Sequence, residues 1–139
     1  DPSPVVLSRI LTHMAAVRLA QERYSEAETL LRETSLIAEK LWPETAYPFH
    51  VRSLLGASLT GQKKYSDAEL LLQQGYQGLL RHQKSLPPCL NPVHRVKESL
   101  ERLVQLYEAW GKPSEGAARR QKLEEFQQAA KAKTEAQRP

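Results

Sequence analysis

A block of eleven residues occurs twice in this chain, 41 residues apart. Gln21-Glu22-Arg23-Tyr24-Ser25-Glu26-Ala27-Glu28-Thr29-Leu30-Leu31 returns as Gln62-Lys63-Lys64-Tyr65-Ser66-Asp67-Ala68-Glu69-Leu70-Leu71-Leu72. Gln, Tyr, Ser, Ala, Glu and two leucines recur in register. A weaker third copy, Trp110-Gly111-Lys112-Pro113-Ser114-Glu115-Gly116-Ala117, places Pro113 in the tyrosine position, 48 residues after Tyr65. The Pro-rich stretch 86–92 houses the seven extra residues. A fixed period of this length signals stacked supersecondary units, each unable to bury its own apolar face.

Every copy lies between two helical stripes. Ser25 with Glu28, and Ser66 with Glu69, match the S-x-x-E capping box, in which serine and glutamate satisfy free helix N–H groups reciprocally. Asn91-Pro92 reads as an N-cap followed by proline at the first helical position. Pro43, Pro48, Pro87 and Pro88 mark helix ends at the repeat boundaries. No segment sustains the alternation of a strand. The pattern predicts helices at about 4–21, 25–41, 47–61, 66–84, 92–110 and 114–131, an all-α chain.

These residues resemble tetratricopeptide (TPR) repeats. The first copy offers Leu11-x2-Met14-Ala15-x2-Arg18 and Ala27-x3-Leu31; the second, Leu55-Gly56-x2-Leu59 and Ala68-x3-Leu72; the third, Leu100-x2-Leu103-Val104-x2-Tyr107. The 41-residue spacing and the segment Ile37–Thr45 are similar to the longer repeats of the kinesin-light-chain type. Glu101–Pro113 is similar to the closing repeat of arrays attached to bacterial serine/threonine kinases. Arg18, Arg52, Gly116 and Arg120 depart from the family pattern. The resemblance implies a right-handed solenoid of three helical hairpins, with repeats at about 4–43, 46–86 and 92–131. These form one domain over 1–131, followed by a frayed polar tail at 132–139.

Charge narrows the partners. The net charge is +4, yet residues 117–139 carry six basic groups against three acids, while the rest has fourteen against thirteen. Phosphate binding needs clustered cations, and base stacking needs aromatics among them; specific nucleic-acid binding is not expected. No run reaches the roughly 18 apolar residues of a membrane-spanning helix. The chain lacks a starting Met and a basic-then-apolar leader, so an excised piece of a longer protein is expected. The compartment stays open: cytoplasmic is favoured, and extracytoplasmic follows if the parent protein has a membrane segment.

Catalytic patterns are missing. His13, His50, His82 and His94 form no H-x3-H or H-E-x2-H spacing, and one cysteine makes no multi-Cys zinc site. Cys89, five residues from His94, lacks an evident third orienting group, so a structural cysteine is expected. Gly56, Gly61, Gly75 and Gly78 fall within helices and suit close packing. Trp42 and Trp110 are expected to cap the core. The sequence predicts a non-enzyme with neither metal nor cofactor.

What the resemblance implies about binding is a concave groove lined by the first helix of each hairpin, holding a protein or peptide segment. Carried over position by position, the groove comprises Arg9, Thr12, Ala16 and Leu19; His50, Ser53, Ala57 and Thr60; and Glu98, Glu101, Gln105 and Glu108. The last four share one helix face. They form either an acidic receptor for a partner's Lys or Arg, or a solvated face. The Lys and Asn of a carboxylate clamp are missing, and the positions of an asparagine ladder hold His13, Leu54 and Arg102. The alternative function is structural: repeats stacking on flanking repeats or on a second copy, with self-association through the N-terminal helix.

Overall fold

The computed structural model describes residues 2–85 and 91–138; Pro87, Pro88 and Cys89, and the expectations attached to them, lie outside these. Within them are six α-helices: α1 (Pro4–Ala20), α2 (Tyr24–Leu41), α3 (Tyr47–Gly61), α4 (Tyr65–Arg81), α5 (Pro92–Trp110) and α6 (Pro113–Ala136), with a short 3-10 turn at Gln83–Ser85. Each helix packs chiefly on its neighbours in sequence, giving three stacked hairpins. The chain is an all-α repeat solenoid.

The helix starts follow from local chemistry. Ser3 accepts from the Val6 N–H at 3.3 Å ahead of Pro4, and Asn91 accepts from the His94 N–H at 3.2 Å ahead of Pro92. In both, proline occupies a position whose N–H would be unpaired anyway.

The expected capping boxes do not form. Arg23 and Lys64 are the N-caps of α2 and α4, with no side-chain cap, and Ser25 and Ser66 lie inside the first turn. The reason is the tightness of the hairpin. The Arg23 N–H donates to the Arg18 carbonyl at 2.8 Å and the Glu22 N–H to Leu19 at 3.0 Å; Lys64–Leu59 and Lys63–Thr60, then Lys112–Tyr107 and Gly111–Glu108, repeat the pair. This is a Schellman ending, with Glu22, Lys63 and Gly111 in the left-handed region at φ 59°, 63° and 77°. The backbone makes the turn alone, so the second helix begins one residue before its serine. Released from capping, Glu28 crosses to the next hairpin, accepting from Gln62 at 2.8 Å with Lys64 Nζ at 3.6 Å. Those contacts and Arg32 hold its carboxyl below the usual range.

Two further ends differ from expectation. α4 stops at Arg81, and the chain tightens into the 3-10 turn, where Ser85 Oγ accepts from the Ala46 N–H at 2.9 Å. α6 continues past 131 to Ala136, because its Ala, Lys, Gln and Glu are good helix formers without an apolar stripe.

The core consists of leucines and small residues interleaved between hairpins. Ala15, Ala27, Leu31, Ala38, Val51, Leu54 and Leu55 form one cluster; Leu59, Ala68, Leu72, Leu103, Leu106 and Tyr107 form the next. The α3–α4 approach is closest. A Cβ on Gly75 would meet the Phe49 carbonyl and the Ser53 backbone at 3.0 Å, and one on Gly78 would enter the Phe49 ring. Trp42 meets Tyr47 edge-on at 5.5 Å, and Trp110 stacks on Tyr65 at 5.7 Å beneath Lys112.

Gly116, in the first turn of α6, is different: its Cβ would find nothing nearer than 3.6 Å. Gly116→Ala is expected to raise stability by about 0.5–1 kcal/mol, the helix-propensity gain. Urea unfolding measures it; a loss would mean that α6 sits closer to Tyr107 than 3.6 Å at this position.

Candidate functional site

The first helices of the three hairpins, α1, α3 and α5, enclose a groove of about 530 Å³. Its walls are Ala16, Leu19 and Ala20 from α1, Leu54, Ala57, Thr60 and Gly61 from α3, and Arg102, Gln105 and Ala109 from α5, with Tyr24 at one end. Small residues recur one helix turn apart on α1 and α3, Ala16 and Ala20, then Ala57 and Gly61, and the same positions of α5 hold Gln105 and Ala109. These positions repeat at the 41- and 48-residue offsets, so the three helices offer the groove matching faces.

Of the expected groove residues, the structure brings together Ala16, Leu19, Ala57, Thr60 and Gln105. The others are engaged elsewhere. Arg9 is exposed on α1, its carbonyl 2.8 Å from His13 Nδ1. Thr12 meets the Tyr47 hydroxyl at 2.7 Å and donates to the Ser8 carbonyl. Ser53 is fully buried, and its hydroxyl accepts from Arg102 at 3.0 Å. His50 Nδ1 is shut off from solvent and, among the described residues, finds no hydrogen-bond partner. Burial first, then the Arg102 and Arg95 guanidiniums, push the imidazole pKa down to about 3, so the ring is neutral.

The glutamate face is not a row of free carboxylates. Glu98 accepts from Arg95 at 2.9 Å and Arg102 at 3.4 Å, with His94 Nε2 at 3.3 Å. Glu101 lies 3.8 Å from Lys97, and Glu108 pairs with Arg120 of α6. Most of these pairs are spaced i,i+3 or i,i+4 on α5, where oppositely charged side chains meet readily.

Arg102 is the groove residue whose role the spacing did not reveal. Burial lowers its pKa, and the Glu98 charge opposes that shift. A guanidinium in such a place remains cationic. Ala20, Gly61 and Ala109 were also missed, although extending the register by one helix turn from Ala16, Ala57 and Gln105 finds all three. Among the described residues, no three His, Cys, Asp or Glu side chains are placed to share a metal ion, and no helix is long and apolar enough to cross a membrane.

The whole arrangement superimposes on the crystal structure of a TPR-like protein from Chlorobium tepidum with a TM-score of 0.71, covering 90% of this chain and 81% of that one at 16% identity. The fold is TPR-like. No family model and no curated protein matches the sequence.

Proposed function

We propose that this chain is a non-catalytic protein-interaction module that holds an extended partner segment in the groove between α1, α3 and α5. The observation that carries the reading is the groove itself, whose small walls let a peptide backbone come close. Leu19 and Leu54 supply apolar contact. Gln105 is exposed and has both a donor and an acceptor for a peptide unit. Arg102, anchored by Ser53 and Glu98, keeps further N–H groups for a carbonyl or carboxylate. Its rigid mounting limits the side-chain entropy lost on binding. Glu98 acts here by fixing Arg102, and Glu108 by joining α5 to α6 through Arg120.

We place the module in a larger bacterial signalling protein. The support is the resemblance of Glu101–Pro113 to kinase-attached arrays, and likeness to a Chlorobium structure agrees with it. Stacking on another repeat is favoured as a second role by the apolar outer face of α1.

A displayed library of extended peptides tests the groove. Peptides enriched on the wild-type chain are expected to bind Ala57→Trp at least tenfold more weakly, with the melting temperature little changed because Ala57 is only half-buried. Equal binding by both chains overturns the reading.

A further inference from the structure

α1 is apolar on three sides. One side, with Leu11 and Ala15, is buried against α2; Ala16, Leu19 and Ala20 face the groove; and Val6, Ile10, Met14 and Val17 form a third stripe. Steps of 100° per residue turn that stripe about a third of the way around the helix from the groove residues. A helix that is apolar nearly all round normally belongs in an interior.

The internal repeat says what covers such a stripe. Ile10, Met14 and Val17 correspond, 41 residues on, to Val51, Leu55 and Ser58 of α3, and then to Ser99, Leu103 and Leu106 of α5. Their exposures are 46%, 42% and 51% in α1, against 0%, 4% and 0% in α3. All three are 0% exposed in α5. In α3 the covering helix is α2, and in α5 it is α4. Val6, Arg9, Ile10, His13 and Met14 also line a shallow depression on α1.

Charge defines the occupant further. α1 contains Arg9 and Arg18 and no acidic residue. Where α2 covers α3, Glu28 meets Gln62 and Lys64. Gln21 and Arg23 are the register equivalents of Gln62 and Lys64, so a glutamate placed like Glu28 would land on them.

A second copy does not supply this helix. The α6 positions that match Leu30, Leu31 and Ala38 are Arg119, Arg120 and Gln127. Stacking α6 on α1 would set guanidiniums against Ile10 and Met14, and pairing α1 with α1 would leave Arg9 without an acid.

We propose that the outer face of α1 docks the second helix of a further hairpin of this repeat type, carrying the Ala-Glu-x2-Leu pattern seen at Ala27–Leu31 and Ala68–Leu72. This surface is separate from the groove and does not depend on it. The probe is a helix-stapled peptide with the sequence Tyr24–Leu41, titrated into methyl-labelled whole chain and followed by NMR. Saturable shifts confined to Val6, Ile10, Met14 and Val17 are expected. Met14→Glu in the chain, or reversal of the peptide's Glu28 equivalent to Lys, is expected to weaken binding tenfold or more. Because Met14 is exposed, the variant should stay folded, and its circular dichroism checks that. Three results overturn the proposal: no saturable shift on α1, shifts confined to groove residues such as Ala57, or a peptide-independent dimer that Met14→Glu abolishes.

Discussion

Gly75→Leu is expected to abolish the folded state or cost at least about 3 kcal/mol, the upper range for forcing volume into a packed interior. The space at Gly75 is bounded by backbone. A Cβ there would stand 3.0 Å from the Phe49 carbonyl oxygen and 3.0 Å from the Ser53 nitrogen, and neither can turn aside as a flexible side chain would. Accommodating leucine means separating α3 from α4. That lifts Phe49 from Gly78 and from its 5.4 Å stack on His82, and shifts Ser53 beneath Arg102. The damage therefore reaches the groove. Gly75→Ala gains about 1 kcal/mol of helix propensity and still pays the overpacking, so a net loss of about 1–2 kcal/mol is expected. Urea unfolding of both variants beside Gly116→Ala is the check. If Gly75→Leu unfolds within about 0.5 kcal/mol of wild type, the close α3–α4 contact is wrong.

Acid is expected to unfold the chain sooner than its carboxylates alone would require, because of His50. In the unfolded chain the imidazole takes up a proton near its ordinary value; in the folded chain it resists until about pH 3. Between those limits the unfolded state holds the extra proton, so stability falls as pH falls, by up to about 1.4 kcal/mol per unit. By pH 4.5 the loss approaches about 2–3 kcal/mol. Protonation would place a charge beside Arg102 and Arg95, on a ring whose Nδ1 has no partner among the described residues. Glu28 adds a second loss at lower pH: its folded value is depressed, so its contribution holds above the ordinary carboxylate range and fades as pH drops through it. Unfolding free energies between pH 7 and 5 separate the two. His50→Gln is expected to flatten that interval and to leave the steeper fall below it. An identical slope in both proteins would place the titration elsewhere.

Much of the fold was legible because repeats advertise themselves. The identities at Tyr24 and Tyr65 fixed where second helices start, and Pro113 marks the same place in the third hairpin. The capping boxes were misread because the S-x-x-E pattern is local, whereas the turn is set by a Schellman ending formed with left-handed Glu22 and Lys63. Nothing in those side chains announces that conformation. Ala16, Leu19, Ala57, Thr60 and Gln105, carried over from the resemblance, line one depression between α1, α3 and α5. The same carry-over named His50 and Ser53, whose Nδ1 and hydroxyl are buried, because a family position gives a helix face and not which neighbour covers it. The sequence left the glutamates of α5 open between a receptor and a solvated face, and the structure pairs them with Arg95, Arg102, Lys97 and Arg120.

The sequence by itself determined that this chain is helical, that its hairpins repeat, and which helix faces are apolar, because period and composition are properties of residues along one strand of chain. Tertiary structure alone decided that Glu28 meets Gln62 and Lys64, that Arg102 sits in the groove on Ser53, and that, among the described residues, His50 Nδ1 finds no partner and the outer face of α1 is exposed while its counterparts on α3 and α5 are covered. Those outcomes depend on distances between residues some 35 to 50 positions apart. Such distances are fixed only when the hairpins stack.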